Sequence, residues 1–160
     1  GLSRRPEPGE VTTVGDLTKL AGMTERFVSR TIGPPNLEQL LRAAQKGKEV
    51  TVVVELMARF DEEANLNIAS RLEEVGAHVV YGVFGYKTHA KILMVLRRED
   101  GGYRRYLHLG TGNYHPRTTR LYTDFGLMTC NPEIGEDVNE IFKQLTGMGK
   151  GAPLRHLLMA

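Results

Sequence analysis

Apolar positions change their period several times along the chain, and each change marks an element. Leu37, Leu40, Leu41 and Ala44 recur at helical spacing, behind Asn36 as a cap and ahead of Gly47 as a stop. Residues 50–54 form a β-branched run, continuous enough for a strand buried on both faces. Ala64, Ile68, Leu72 and Val75 return to the helical period, and Gly76 ends it. Asp61, Glu62 and Glu63 put acid in that helix's first turn, where the helix dipole favours it. Residues 77–83 read as the next strand, so strand, helix and strand predict a right-handed parallel crossover. Residues 91–96 and 103–109 are two further strands, and the turn Glu99-Asp100-Gly101-Gly102 joins them as an antiparallel hairpin. Val138, Ile141, Phe142 and Leu145 define a last helix, stopped by Gly147. The pattern predicts an α/β domain with a mixed β-sheet, parallel in its βαβ part and antiparallel at the hairpin.

The two ends read differently. Residues 1–15 contain Pro6, Pro8 and Gly9 and read as a tail; Asp16 caps a short helix to Ala21, which Gly22 ends. Residues 31–35 are a breaker, and Gly149, Gly151 and Pro153 give the stretch beyond 148 the character of a tail or linker. No internal repeat is visible. At 160 residues, with 41% apolar and 25% charged residues, the chain is ordinary globular stock, which excludes collagen-like and broadly disordered classes. No apolar run approaches the roughly 18 residues of a membrane span, and the first residues lack a signal-peptide pattern. One cysteine, Cys130, excludes an intrachain disulfide framework and a cysteine-rich zinc site, suits a reducing cytoplasm, and reads as a small buried residue.

Charge adds an asymmetry. Residues 1–80 carry 10 basic and 12 acidic side chains, and residues 81–160 carry 11 and 7. Between Gly85 and Tyr122 lie Lys87, Lys91, Arg97, Arg98, Arg104, Arg105, Arg117 and Arg120, against Glu99 and Asp100 alone. Clustered positive charge attracts an anionic partner. The plainer reading is a solvated strand face and a hairpin tip, since Arg97-Arg98 and Arg104-Arg105 flank the turn.

Two short motifs face each other across the predicted hairpin. Thr88-His89-Ala90-Lys91 opens a strand, and alternation puts His89 and Lys91 on the same side. Gly110-Thr111-Gly112-Asn113 follows the neighbouring strand directly, so the hairpin should bring it next to His89. An imidazole nitrogen is a good nucleophile near neutral pH, and its attack on phosphorus splits a transfer into two steps. Lys91 supplies fixed positive charge for phosphoryl oxygens. Glycines let backbone N–H groups approach an anion closely, and Asn113 adds a side-chain donor. A lone histidine on a strand is more often structural, and a lone Gly-x-Gly-Asn is usually a turn. Set together at a strand start and an adjacent strand end, they point to a phosphate-handling site.

This pairing resembles the phospholipase D superfamily signature, His-x-Lys followed downstream by Gly-Ser/Thr-x-Asn. Leu96 stands where that superfamily usually carries an acidic residue, which argues against a standard lipase or nuclease. One branch is similar over longer stretches. Residues 52–65 (VVVELMARFDEEAN), 86–91 (YKTHAK), His108 with Gly110-Thr111-Gly112-Asn113-Tyr114, and 120–125 (RLYTDF) resemble bacterial polyphosphate kinase, which makes inorganic polyphosphate from ATP. The resemblance spans residues 37–158.

The resemblance implies a phospholipase D-like mixed β-sheet flanked by helices. It implies reversible transfer of the ATP γ-phosphate to inorganic polyphosphate, with ATP, ADP and polyphosphate as partners and Mg²⁺ as cofactor. His89 matches the autophosphorylated histidine; Lys91 and Asn113 would hold phosphoryl oxygens, and Gly110, Thr111 and Gly112 would line the cradle. Arg59 matches a residue of the magnesium and phosphate site. Arg30 stands beside the position of a second such arginine, its spacing to the strand at Val50 one residue short. Tyr122 matches a nucleotide-contacting tyrosine. Read without the family, Arg59 is an ion-pair partner of Asp61 or Glu62, Tyr122 is a half-buried aromatic, and His108 and His115 are structural or electrostatic.

The family enzyme is several times longer, with two domains before this segment and a second phospholipase D-like domain after it that supplies another essential histidine. The resemblance therefore divides the chain into a poorly matched segment 1–29, a catalytic-type domain 30–148 holding half of a composite site, and a tail or linker 149–160. It implies a homo-oligomeric, cytoplasmic full-length enzyme that can associate with membranes, with no nucleic-acid partner and no transmembrane segment. Two rival functions are a non-catalytic polyphosphate-binding module and a phospholipase D-like phosphodiesterase.

Overall fold

The computed structural model describes residues 26–29, 34–54, 62–82, 89–112, 120–149 and 151–158. The tail at 1–15 and the short helix expected at 16–21 lie outside them. In chain order the elements are β1 (Arg26–Ser29), α1 (Pro34–Gln45), β2 (Glu49–Val54), α2 (Glu62–Glu74), β3 (His78–Tyr81), β4 (Lys91–Glu99), β5 (Gly102–Gly110), β6 (Gly126–Thr129) and α3 (Pro132–Leu145). The six strands make one sheet in the order β3-β2-β1-β4-β5-β6. β2 pairs in parallel with both β1 and β3. β4 pairs antiparallel with β1 and β5, and β5 with β6. The sheet is mixed, parallel on one side of β1 and antiparallel on the other, as the strand patterns predict.

Strand alternation divides the core into two layers. Val52, Val54, Leu93, Val95, Tyr106, Met128 and Cys130 share a cluster with Leu37, Leu40, Leu41 and Leu72 of α1 and α2. Val53, Ile92, Met94 and Leu107 share the opposite cluster with Val138, Ile141 and Phe142 of α3. Adjacent residues of one strand thus face different helices, which is why residues 50–54 read as a continuous apolar run. Gly47, Gly76 and Gly147 follow their helices with φ of +74°, +82° and +71°, the left-handed conformation that ends a helix at little cost to glycine. At the other end of α3 the Asn131 side chain accepts from the N–H groups of Glu133 and Ile134 at 2.9 and 3.1 Å, with Pro132 behind it.

Several boundaries differ from expectation. α1 opens at Pro34, ahead of Asn36, because two prolines preset the φ of a first helical turn and lack only N–H groups that turn does not use. β3 lies at one edge of the sheet and is shorter than residues 77–83. β4 and β5 are longer than predicted: their ladder runs from Lys91↔Gly110 to Glu99↔Gly102 and leaves a loop of Asp100 and Gly101. β1 and β6, four residues each, are strands that the hydropathy pattern does not announce.

The hairpin tip has its own charge arrangement. Arg97 Nε and Arg104 Nη1 lie 3.8 and 3.6 Å from the carboxylate of Glu99, which also accepts the Tyr106 hydroxyl at 2.7 Å. Arg105 reaches Glu136 of α3 at 2.7 Å, and Arg98 stacks over Tyr103 with 5.3 Å to the ring centroid. These four arginines balance acids and cover rings, so the hairpin tip is not an open anion track. Burial, with the Glu99 bond and its charge behind it, pushes the Tyr106 phenol up to about 12, so it stays a donor to Glu99.

Candidate active site

The site gathers at the end of the hairpin away from that tip. His89 sits two residues ahead of β4 and is exposed, whereas Lys91, the first residue of β4, is only 5% exposed. A buried ammonium is costly unless its protons are taken up. Lys91 Nζ donates to the carbonyl oxygen of His89 at 2.8 Å and stands 3.0 and 3.1 Å from Nδ1 and Nε2 of the same ring. The ammonium is thereby posed against the imidazole of His89 and anchored by that residue's own carbonyl.

Gly110 stands opposite Lys91 in the ladder, and Gly126 of β6 stands opposite Gly110. Across β4, β5 and β6 this row therefore carries one side chain, that of Lys91. Paired Cα atoms lie about 5 Å apart, so the lysine is flanked by backbone without a Cβ. The turn after Gly110 is stitched to residues 124–125. Thr111 N donates to Phe125 O at 3.0 Å, and Thr111 Oγ1 accepts from Phe125 N at 2.9 Å and donates to Asp124 Oδ1 at 3.0 Å. A Cβ on Gly112 would run into the Asp124 carboxylate, so that carboxylate closes on the turn only because the residue is glycine.

Lys91 thus meets His89 and stands opposite Gly110, with Thr111 and Gly112 following in the chain, although His89 precedes the strand that its alternation with Lys91 suggests. Tyr122 is 67% exposed, more open than a half-buried aromatic, and lies two residues before Asp124. Arg30, Arg59, Asn113 and His115 lie outside the described residues. Gly126 is absent from the residues singled out by sequence, because register across β5 and β6 is what delivers it; Asp124 stands in the resembling stretch 120–125, which assigns it no role. His108, on the same face as Lys91, is buried, as a structural histidine should be. Burial lowers its pKa from 6.5, opposed by a hydrogen bond with the Leu127 backbone. Cys130 is buried. Among the described residues no group of three or more His, Cys, Asp or Glu could hold a metal ion, and no helix is long and apolar enough to cross a membrane.

Comparison with known proteins places this geometry. Residues 33–151 match the family described as polyphosphate kinase C-terminal domain 1. The polyphosphate kinase of Burkholderia vietnamiensis is 63% identical over 127 residues, covering 77% of this chain and 18% of its own. That of Paraburkholderia phytofirmans is 61% identical over the same length and shares. The chain therefore spans about a fifth of the length of these relatives. Among solved structures, polyphosphate kinase from Porphyromonas gingivalis superposes with a TM-score of 0.72 at 35% identity, over 87% of this chain and 24% of that one. A phospholipase D family member, Nuc from Salmonella typhimurium, superposes with a TM-score of 0.63 at 16% identity, over 88% of this chain and 91% of that one. The second likeness shows the phospholipase D-like fold, with sheet and flanking helices in common.

Proposed function

The chain belongs to the polyphosphate kinase C-terminal domain 1 family, and from that premise we propose that it carries the phosphoryl-accepting half of an ATP–polyphosphate phosphotransferase site. The observation that carries this reading is the row at the sheet end: an imidazole in contact with a buried ammonium, beside two strands that present glycine. In the first step a ring nitrogen of His89 attacks the γ-phosphorus of ATP. The N–P bond forms, the bond from γ-phosphorus to the β-phosphate oxygen breaks, and ADP leaves with the electron pair. In the second step a terminal oxygen of polyphosphate attacks that phosphorus, the N–P bond breaks, and the polymer is one phosphoryl unit longer. Both steps are reversible.

Lys91 serves the ring before attack and the phosphoryl oxygens during it. An ammonium already beside the ring can turn its donors to the phosphoryl oxygens, so developing charge meets a donor in place. By family resemblance Asn113 and Arg59 join it, Arg30 stands near the same phosphates, and Tyr122 offers its exposed ring to the nucleotide. Asp124 fits a magnesium role in one respect. Mg²⁺ is commonly held by one or two carboxylates together with substrate phosphates rather than by an all-protein cage, and Asp124 brings one carboxylate to the turn. When bound, the ion would neutralise phosphate charge. The rest of the site, another histidine included, belongs to other parts of a longer, oligomeric, cytoplasmic enzyme in this reading. The paired hairpin arginines count against a purely electrostatic polyanion-binding module.

Incubation of the full-length enzyme that contains this segment with γ-labelled ATP and Mg²⁺ tests the first step, since half a site is expected to be inactive or only partly active alone. One added phosphoryl group, acid-labile and lost in His89→Ala, is expected. Acid-labile label that persists in His89→Ala overturns the assignment.

A further inference from the structure

Among the described residues, the one buried carboxylate is that of Asp137 on α3. Three consecutive backbone N–H groups converge on it from beyond the helix. Arg155 N lies 3.1 Å from each carboxylate oxygen, and His156 N and Leu157 N lie 2.6 and 2.9 Å from Oδ2. A second tie precedes these, from Ala152 N to Glu140 Oε2 at 2.9 Å, and His156 Nε2 stands 3.5 Å from Glu133 Oε2. Leu154 and Leu157 pack on the cluster formed by α3 with Val53, Ile92, Met94 and Leu107. Each attachment is made to α3 or to the core beneath it.

A composition of Gly149, Gly151 and Pro153 suits a loose connector, which would leave these backbone groups to water. A carboxylate taken out of water needs donors to match, and this one is met by the segment itself. We propose that residues 152–157 form a strap latched by Asp137, a device that fixes the course of the chain beyond α3 against the helix and sheet. A unit joined after the strap would inherit a set starting direction relative to His89. That consequence rests on the composite-site reading above; the latch itself does not.

Hydrogen exchange on the 160-residue chain tests the latch. The amides of 155–157 should be protected, and Asp137→Asn should speed their exchange about tenfold or more while amides of β4 and β5 change less than about twofold. Glu140→Gln should release Ala152 and leave 155–157 protected. Through-hydrogen-bond couplings from the 155–157 nitrogens to the Asp137 carboxyl carbon, read in the unmutated chain, decide the matter even where Asp137→Asn does not fold. Unprotected amides at 155–157, protection unmoved by Asp137→Asn in a folded chain, or missing couplings each overturn the proposal. Loss of phosphorylation at His89 with couplings present would overturn the functional reading alone.

Discussion

Two histidines nineteen residues apart in sequence have opposite surroundings, and those surroundings assign their roles. His89 is exposed with an ammonium at its ring; His108 is buried on β5 with the Leu127 backbone. Burial depresses the His108 pKa below 6.5 in the folded chain, whereas the unfolded chain takes up a proton near that value. The unfolded state therefore binds more protons between the two values. Stability is intact above the unfolded value, declines as pH falls through it, and stops declining below the folded value. The thermal midpoint should drop between about pH 7.5 and 5.5, and His108→Gln should flatten the drop. A slope unchanged by that substitution would assign the drop to other groups. At this scale the sequence is legible where chemistry sits in a short motif. His89 and Lys91 are two positions apart, and both strands around them carry strong patterns. Gly126 is not legible, because only the register Gly110↔Gly126 brings it to the row of the lysine; Asp124 lies in a resembling stretch, but its bond from Thr111 is a tertiary fact.

Elements with ten or so residues announce themselves; the four-residue strands β1 and β6 do not. α1, α2 and α3 repeat an apolar stripe over several turns, and each is followed by a glycine at positive φ. β1 and β6 have no room for a period, and what makes them strands is the ladder offered by neighbours distant in sequence. The start of α3 was equally hidden in the apolar pattern, yet its Asn131-Pro132 pair is a local signal with a local energy. Asn131→Ala removes the acceptor for two orphan N–H groups and should cost about 1 kcal/mol. A fall in the urea midpoint with an unchanged slope is the expected record. A slope change would point to altered compactness instead.

Over the whole molecule, strand polarity was legible. A helix between two apolar runs demands a parallel crossover and a glycine turn demands a hairpin, so mixed pairing follows. Net charge was the less reliable guide. Eight basic residues in one window suggest a polyanion track, but the far tip of the hairpin, about 27 Å from Lys91 at 3.3–3.4 Å per residue, spends its arginines on Glu99, Glu136 and Tyr103. Charge counts along a sequence do not record which cations already have an internal partner.

The stretch that the family model matches, 33–151, leaves out β1, which lies mid-sheet between β2 and β4. Trimming to that stretch would split one ladder into two half-sheets with raw inner edges, both lined by Val and Leu, and would strip Leu154 and Leu157 from the far side. Such a truncated polypeptide should associate in size-exclusion chromatography where the 160-residue chain elutes as a discrete species; a trimmed monomer with native amide protection would contradict this. The border of the family model cuts through a sheet that closes only with the strand outside it.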